Sequence, residues 1–422
     1  MRILWHMPTL RRHACGLSNR AMRLANELRK FGHEISFAVA DDKTDVDDNS
    51  IGDMALLKLS LTRLNPLHWS LQSRERMRAA RLTVRGLGDD HDLFISCQPE
   101  VVRAYCQRHR RCPVLFVCGG TTLLHDATDA ARQQSMSPLR RLPYSLDRYL
   151  KHRNEAGAFK AADATVFDSL HTRESVITAY RVTPEKCITV HGGFDPETFR
   201  PPNRDERNRT RLKLGLGRDD DITLVWTGRI SPEKNLTLLI RALSKCRQRP
   251  QRVLIVGEGP GREELAVLCR RESVDDIVSF VGEKADVRPY LHAADIFVFP
   301  SLGESFGSSL VEAMGCGLPC IALRSENAAG IRNASEEILG SEGAGALVST
   351  NDPRALAEVI DDLGYDAQRR RDMGLQASKR AVTKFSWTSG GRHLHELILR
   401  LCSRSQMNSV EPEIPARQAA II

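Results

Sequence analysis

Apolar positions along the 422-residue chain follow two rhythms that take turns. Short β-branched or apolar runs, which predict strands, alternate with stretches carrying apolar side chains every three or four positions, which predict amphipathic helices. An opening strand at Met1–Met7 gives way to a loop at Pro8–Gly16, after which Leu17, Ala21, Leu24, Ala25 and Leu28 mark one face of a helix ending near Gly32. Ile35–Val39 returns as a strand, and further strands are expected at Leu93–Ser96, Val114–Val117, Ala164–Phe167 and Cys187–Val190. The second half repeats the rhythm, with strands at Ile222–Thr227, Arg252–Val256, Ile277–Val281, Ile296–Pro300 and Pro319–Ala322. Such alternation predicts an α/β chain of parallel sheets covered by crossover helices. The polar, proline-bearing stretch Arg200-Pro201-Pro202-Asn203-Arg204-Asp205 is read as the linker between two halves, 1–200 and 201–385. A last helix follows over about 386–402, and 403–422, with two prolines and little periodicity, reads as a disordered tail.

Composition adds a compartment and a charge asymmetry. With 41% hydrophobic and 27% charged residues, the chain has the make-up of an ordinary globular protein. No signal peptide and no run of about 18 apolar residues is read, so a cytoplasmic placement is expected. The eleven cysteines show no zinc spacing and are expected to be buried small hydrophobes in a reducing compartment. Residues 1–200 hold 30 basic and 23 acidic side chains, against 31 and 30 thereafter, so the excess lies in the N-terminal half. It concentrates over 101–153, with ten Lys+Arg against Asp126, Asp129 and Asp147, and over 132–153 Arg132, Arg140, Arg141, Arg148, Lys151 and Arg153 interleave with Met136, Leu139, Leu142, Tyr144, Leu146, Tyr149 and Leu150. Pro138 and Pro143 are expected to break this segment before a helix lengthens. A basic, apolar-interleaved surface suits peripheral contact with an anionic membrane, or is simply a solvated face. Nucleic acid is not expected, since the cations form no recognised motif and aromatic platforms are few.

Three loops hold the candidate chemistry. In Phe297-Val298-Phe299-Pro300-Ser301-Leu302-Gly303-Glu304-Ser305-Phe306-Gly307-Ser308-Ser309-Leu310-Val311-Glu312, a strand and short loop lead to a helix starting near Ser308. Backbone N–H groups at such a start, with the helix dipole, favour a phosphate. Glu304 and Glu312 would be repelled by phosphate and are better placed to accept hydrogen bonds from hydroxyls; a helix cap and a solvated surface residue are the plainer alternatives. In Thr227-Gly228-Arg229-Ile230-Ser231-Pro232-Glu233-Lys234, the Arg fork and Lys charge suit a diphosphate, although cations on loops are commonly just solvated. Val256-Gly257-Glu258-Gly259-Pro260-Gly261-Arg262 lacks the third glycine of a dinucleotide fingerprint and reads as a tight strand-to-helix turn.

Taken in this order, these loops resemble the retaining glycosyltransferases of family four, which have the GT-B fold. Supporting matches are Phe280-Val281-Gly282, Ser169, Gly192-Gly193-Phe194-Asp195, Ala313-Met314, Gly345-x-Leu347-Val348 and Phe385-Ser386-Trp387. The resemblance implies two Rossmann-like domains facing a cleft, with the last helix crossing back to the first domain. It implies transfer of a sugar from a UDP-, GDP- or ADP-type nucleotide-diphosphate donor to a glycan, lipid-linked or small-molecule acceptor, with no metal and no further cofactor. Arg229 and Lys234 would neutralise the diphosphate together with the backbone around Phe306, Gly307, Ser308 and Ser309. Glu304 would bind hydroxyls of the donor sugar, Glu312 the ribose, Val281 and Gly282 the base, and Gly16 the diphosphate from the first loop. Two positions depart from the family: Cys15 replaces the first of two glycines often adjacent there, and Gly119-Gly120 stand where a His commonly contacts the sugar. His125, six residues on, is the nearest replacement and also suits a helix surface. A catalytically silent donor-binding subunit, or an epimerase on the same architecture, are the competing readings.

Overall fold

The computed structural model describes residues 1–8, 16–39, 54–58, 72–87, 90–108, 112–125, 137–217, 221–326 and 330–409. Cys15, most of the first loop, residues 126–136 and the tail from 410 onward lie outside the described residues. Two all-parallel sheets carry the chain. The first holds seven strands: β1 (Arg2–Met7), β2 (Glu34–Val39), β3 (Ala55–Lys58), β4 (Leu93–Ser96), β5 (Val114–Cys118), β6 (Ala164–Phe167) and β7 (Cys187–Thr189), in the order β3-β2-β1-β4-β5-β6-β7. The second holds six, β8 (Thr223–Thr227), β9 (Arg252–Val256), β10 (Val278–Gly282), β11 (Ile296–Phe299), β13 (Cys320–Leu323) and β15 (Gly345–Val348), in the order β10-β9-β8-β11-β13-β15. A two-strand ladder of β12 (Gly303–Glu304) and β14 (Arg332–Asn333) stands beside it.

The central strands read as continuous apolar runs because helices cover both faces of each sheet. Trp5, Phe37, Leu93 and Val166 lie in one core, and Trp226, Ile255, Val298 and Ile321 in the other. In each sheet the strand order reverses once, between β1 and β4 and between β8 and β11. Crevices open at the C-terminal ends of strands at such reversals, so the loops after β8 and β11 are where a ligand fits.

Phe194 packs in the C-terminal core and its N–H donates to Phe385 O at 3.0 Å, so the chain is pinned near both crossings. The last helix, Trp387–Ser409, returns to the first domain, where Leu394 and Ile398 pack with Leu24, Ala25 and Leu28. It is longer than expected, and 403–409 are helical rather than tail. Leu397, Leu401 and Cys402 extend its packed stripe along that core, and packing carries a helix further than sequence propensity does.

The two prolines do not break the basic segment. One helix of 24 residues runs from Pro138 to Ala161. Pro138 occupies the first turn, where its missing N–H has no partner to lose, and Pro143 forfeits one hydrogen bond. The inner face outweighs that loss, burying Ala158 and Phe159 against Phe116 and Phe167. Among the described residues no helix is long and apolar enough to cross a membrane. Burial raises the thiols of Cys246 to about 12 and Cys269 to about 11, and those of Cys118, Cys316 and Cys320 further, as expected for inert core cysteines.

Candidate active site between the two sheets

Backbone lacing brings the loops after β8 and β11 together. Gly228, at φ 150°, turns the chain out of β8, and a short 3-10 turn, Pro232–Lys234, ends at Asn235 in the left-handed region. Asn235 donates its side-chain amide to Pro300 O at 3.1 Å, and the Leu302 N–H donates to Glu233 O at 2.8 Å. On the far side, Asn333 donates to Ser301 O at 2.9 Å and the β12–β14 ladder fixes Glu304 opposite Asn333. The result is an ion pair between Lys234 Nζ and Glu304 Oε2, with each side chain about one-fifth exposed. Two residues 70 positions apart therefore meet at the crevice.

Gly307, at φ 92°, then starts the helix Ser308–Gly315, and no side chain caps it. Its first N–H groups are left for a ligand or solvent. Glu312 lies one turn in, half-buried, and burial raises its carboxyl to about 7. Arg229 does not join this group: its side chain is 72% exposed and pairs with Glu233 at 3.0 Å, a carboxylate that Ser231 also holds. Val281 and Gly282 end β10 half-exposed, and Gly282 sits at a break in register with φ 81° and accepts the Gly257 N–H at 2.9 Å.

The first domain contributes residues that the sequence did not single out. Ser305, next to Glu304, donates to Asp168 Oδ2 at 2.9 Å and lies 3.4 Å from Gly119 O. Asp168 follows β6 directly and is buried beside Arg20, whose guanidinium stands 3.5 Å from Oδ2 and donates to Val190 O at 3.0 Å. Burial pushes the Asp168 carboxyl up, against the pull of Arg20 and Ser305. Ser169, a motif match, caps the helix Leu170–Tyr180 by accepting the Thr172 N–H at 3.1 Å. The same helix start is capped from the other domain: Glu337 accepts Leu170 N–H at 2.8 Å, His171 N–H at 3.0 Å and His191 Nε2 at 2.7 Å. Burial opposes ionisation of Glu337, yet those hydrogen bonds hold its carboxyl below the ordinary value. Arg332 donates to Leu123 O at 2.7 Å. Of Arg20, Asp168, Arg332 and Glu337, only Asp168, directly after a strand at a domain edge, had a position that could have flagged it.

Leu17 lies over Gly119. A Cβ there would stand 2.5 Å from Leu17 Cδ1, so a side chain at 119 would require the end of Leu17, in the first turn of the helix Gly16–Lys30, to turn aside. Gly16 begins that helix. His125 ends a 3-10 turn, Thr122–His125, and its side chain lies outside the described residues.

Two family models match in tandem, Glycosyltransferase Family 4 over residues 14–198 and Glycosyl transferases group 1 over residues 221–366. The chain belongs to glycosyltransferase family four. Among family-four relatives, D-inositol 3-phosphate glycosyltransferase of Kineococcus radiotolerans is 32% identical over 250 residues, 55% of this chain and 56% of that protein. The GDP-mannose-dependent alpha-(1-6)-phosphatidylinositol monomannoside mannosyltransferase of Mycolicibacterium smegmatis is 32% identical over 249 residues, 56% of this chain and 62% of that protein. The chain thus aligns with a little over half the length of these curated relatives. Sucrose-phosphate synthase from Thermosynechococcus elongatus superposes with a TM-score of 0.76 at 19% identity, covering 96% of this chain and 99% of that one. HepE of Anabaena, solved with UDP, gives 0.72 at 19% identity over 95% and 100%. These likenesses establish the two-domain GT-B fold of family four.

Proposed function

We propose that this family-four chain transfers a sugar, with retention and without a metal, from a nucleotide-diphosphate donor to an acceptor hydroxyl. The observation that carries the reading is the meeting of Lys234 and Glu304 beside the uncapped start of the helix Ser308–Gly315. On donor binding Lys234 exchanges its carboxylate partner for the diphosphate, and Glu304, released, accepts hydroxyls of the sugar. The bond from the anomeric carbon to the leaving phosphate oxygen breaks while the acceptor oxygen bonds to the same face of the sugar. The acceptor's proton passes to the departing phosphate oxygen. Negative charge growing on the diphosphate is met by Lys234 and by the N–H groups at Ser308 and Ser309, which need no reorganisation to receive it. Glu312 accepts the ribose hydroxyls, and Val281 and Gly282 border the base. Arg229 reaches the diphosphate by leaving Glu233.

The relatives named above act from GDP-mannose or on inositol phosphate and phosphatidylinositol mannosides, and HepE binds UDP. A UDP- or GDP-sugar donor and a phosphorylated or lipid-linked acceptor, met at a membrane surface, follow by analogy. The test is nucleotide release from a panel of UDP-, GDP- and ADP-sugars in the presence of inositol phosphate and lipid acceptors. Release by the wild type that is lost in both Lys234→Ala and Glu304→Ala supports the reading. Donor binding without release in the wild type would instead favour a silent subunit, the reading suggested by Gly119.

A further inference from the structure

We infer that the outer face of the helix Pro138–Ala161 docks the protein on an anionic lipid bilayer. Leu142, Leu146 and Tyr149 are 77%, 50% and 63% exposed, among the most exposed large apolar side chains of the protein. They stand four and three residues apart, and Arg153 and Lys160, both exposed, continue the same line. Residues at such intervals share one face of a helix, so the stripe is apolar over two turns and cationic beyond. Arg141, also exposed, precedes it.

The distribution of carboxylates points the same way. Between residues 141 and 160 the acidic side chains are Asp147 and Glu155, both buried. Asp147 pairs with Lys151 at 2.8 Å, and Glu155 accepts Thr121 Oγ1 at 2.8 Å and the Thr122 N–H at 3.0 Å. Among the described residues 141–160 the outer face therefore offers apolar and cationic groups and no acidic side chain, the complement of a bilayer bearing acidic headgroups. From Leu142 to Tyr149 the ridge is only about 10 Å long at 1.5 Å per residue. That is short for a stable protein interface, which needs roughly 800 Å² per partner, but sufficient for three side chains to enter a headgroup layer.

The inference extends the membrane reading above and is tested separately from the donor site. Full-length protein is sedimented with vesicles of phosphatidylcholine containing phosphatidylglycerol, and with phosphatidylcholine alone, at low and high salt. Binding to the acidic vesicles at low salt is expected, weakened by salt. Leu142→Glu with Leu146→Glu should reduce it roughly tenfold or more, since two buried leucines are lost to the interface. Arg153→Glu with Lys160→Glu should weaken it as well. All four positions are exposed, so unchanged melting curves confirm folding. Nucleotide release with a water-soluble acceptor should be unaffected by the leucine variant, whereas Lys234→Ala, impaired in transfer, should sediment like the wild type. Wild type that fails to bind acidic vesicles at low salt, equal binding to neutral vesicles, or undiminished binding by the leucine variant would overturn the inference. So would a concentration-dependent dimer abolished by the leucine substitutions, which would give the ridge to a second copy.

Discussion

Lys234 and Glu304 meet on the second domain through backbone devices: a glycine at the end of β8, a left-handed Asn235, and a ladder that aims Glu304. Arg20 and Asp168 meet on the first domain through burial, one projecting from a helix and the other from the end of a strand, with Ser305 reaching across to them. The first pair stays partly open to solvent, which is what the proposed exchange of Glu304 for a diphosphate requires. The second is sealed, and its tie to the other domain is the Ser305 hydroxyl on Asp168. Similar sheets thus build one half-open ion pair and one sealed one, and the difference lies in how much water each keeps.

The sharpest break of this comparison is by substitution at each pair. Lys234→Ala should lower nucleotide release by about 10²–10³-fold with the melting temperature little changed, measured by steady-state kinetics and thermal unfolding. Asp168→Ala should do the reverse in emphasis: stability falls by about 3 kcal/mol because the Arg20 guanidinium is left buried without a carboxylate, and Asp168→Asn restores only the Ser305 contact. If Asp168→Ala proves as stable as wild type but equally slow as Lys234→Ala, the distinction between the pairs collapses.

A packing test comes next. A Cβ at Gly192 would overlap the Phe306 ring, so Gly192→Ala should cost about 1–3 kcal/mol in denaturant unfolding. Displacement of Phe306 should also weaken donor binding, since that side chain precedes Gly307 at the helix start. The smallest effect concerns Glu312. Its carboxyl, ordinarily near 4.5, is raised to about 7, so between those values the folded protein retains a proton that the unfolded chain has lost. Its stabilising contribution is therefore complete below about 4.5 and is lost as pH rises through 7. Glu312→Gln should flatten melting temperature against pH across that window. Donor binding, by giving the carboxylate hydroxyl donors, should release protons near pH 7, which calorimetry in buffers of different ionisation enthalpy detects.

Much of this was legible along the chain. The strands mostly carry dense apolar runs, and eleven of the thirteen described in the two large sheets were expected within a residue or two of where they lie. The loops that carry Lys234 and Glu304 were legible because they are built by local turn chemistry, where residue type and spacing are the mechanism. Edge strand β3 (Ala55–Lys58) was not, because four residues on a sheet margin carry too little pattern. Pro143 misled because a local penalty of one hydrogen bond was weighed without the tertiary packing that exceeds it. Asp168, Arg20 and Glu337 have no local signature: each acquires its role from a partner on a distant segment.

The sequence by itself determined two α/β halves, their strand-loop-helix punctuation and the family-four motifs, since turns, caps and periodicity are short-range properties. Tertiary structure alone decided that Lys234 turns to Glu304 while Arg229 turns out to Glu233, that Leu17 lies over Gly119, and that Leu142, Leu146 and Tyr149 face outward. Those outcomes depend on which surfaces lose water when the two sheets and the returning helix close together, and burial is a property of the whole packed chain.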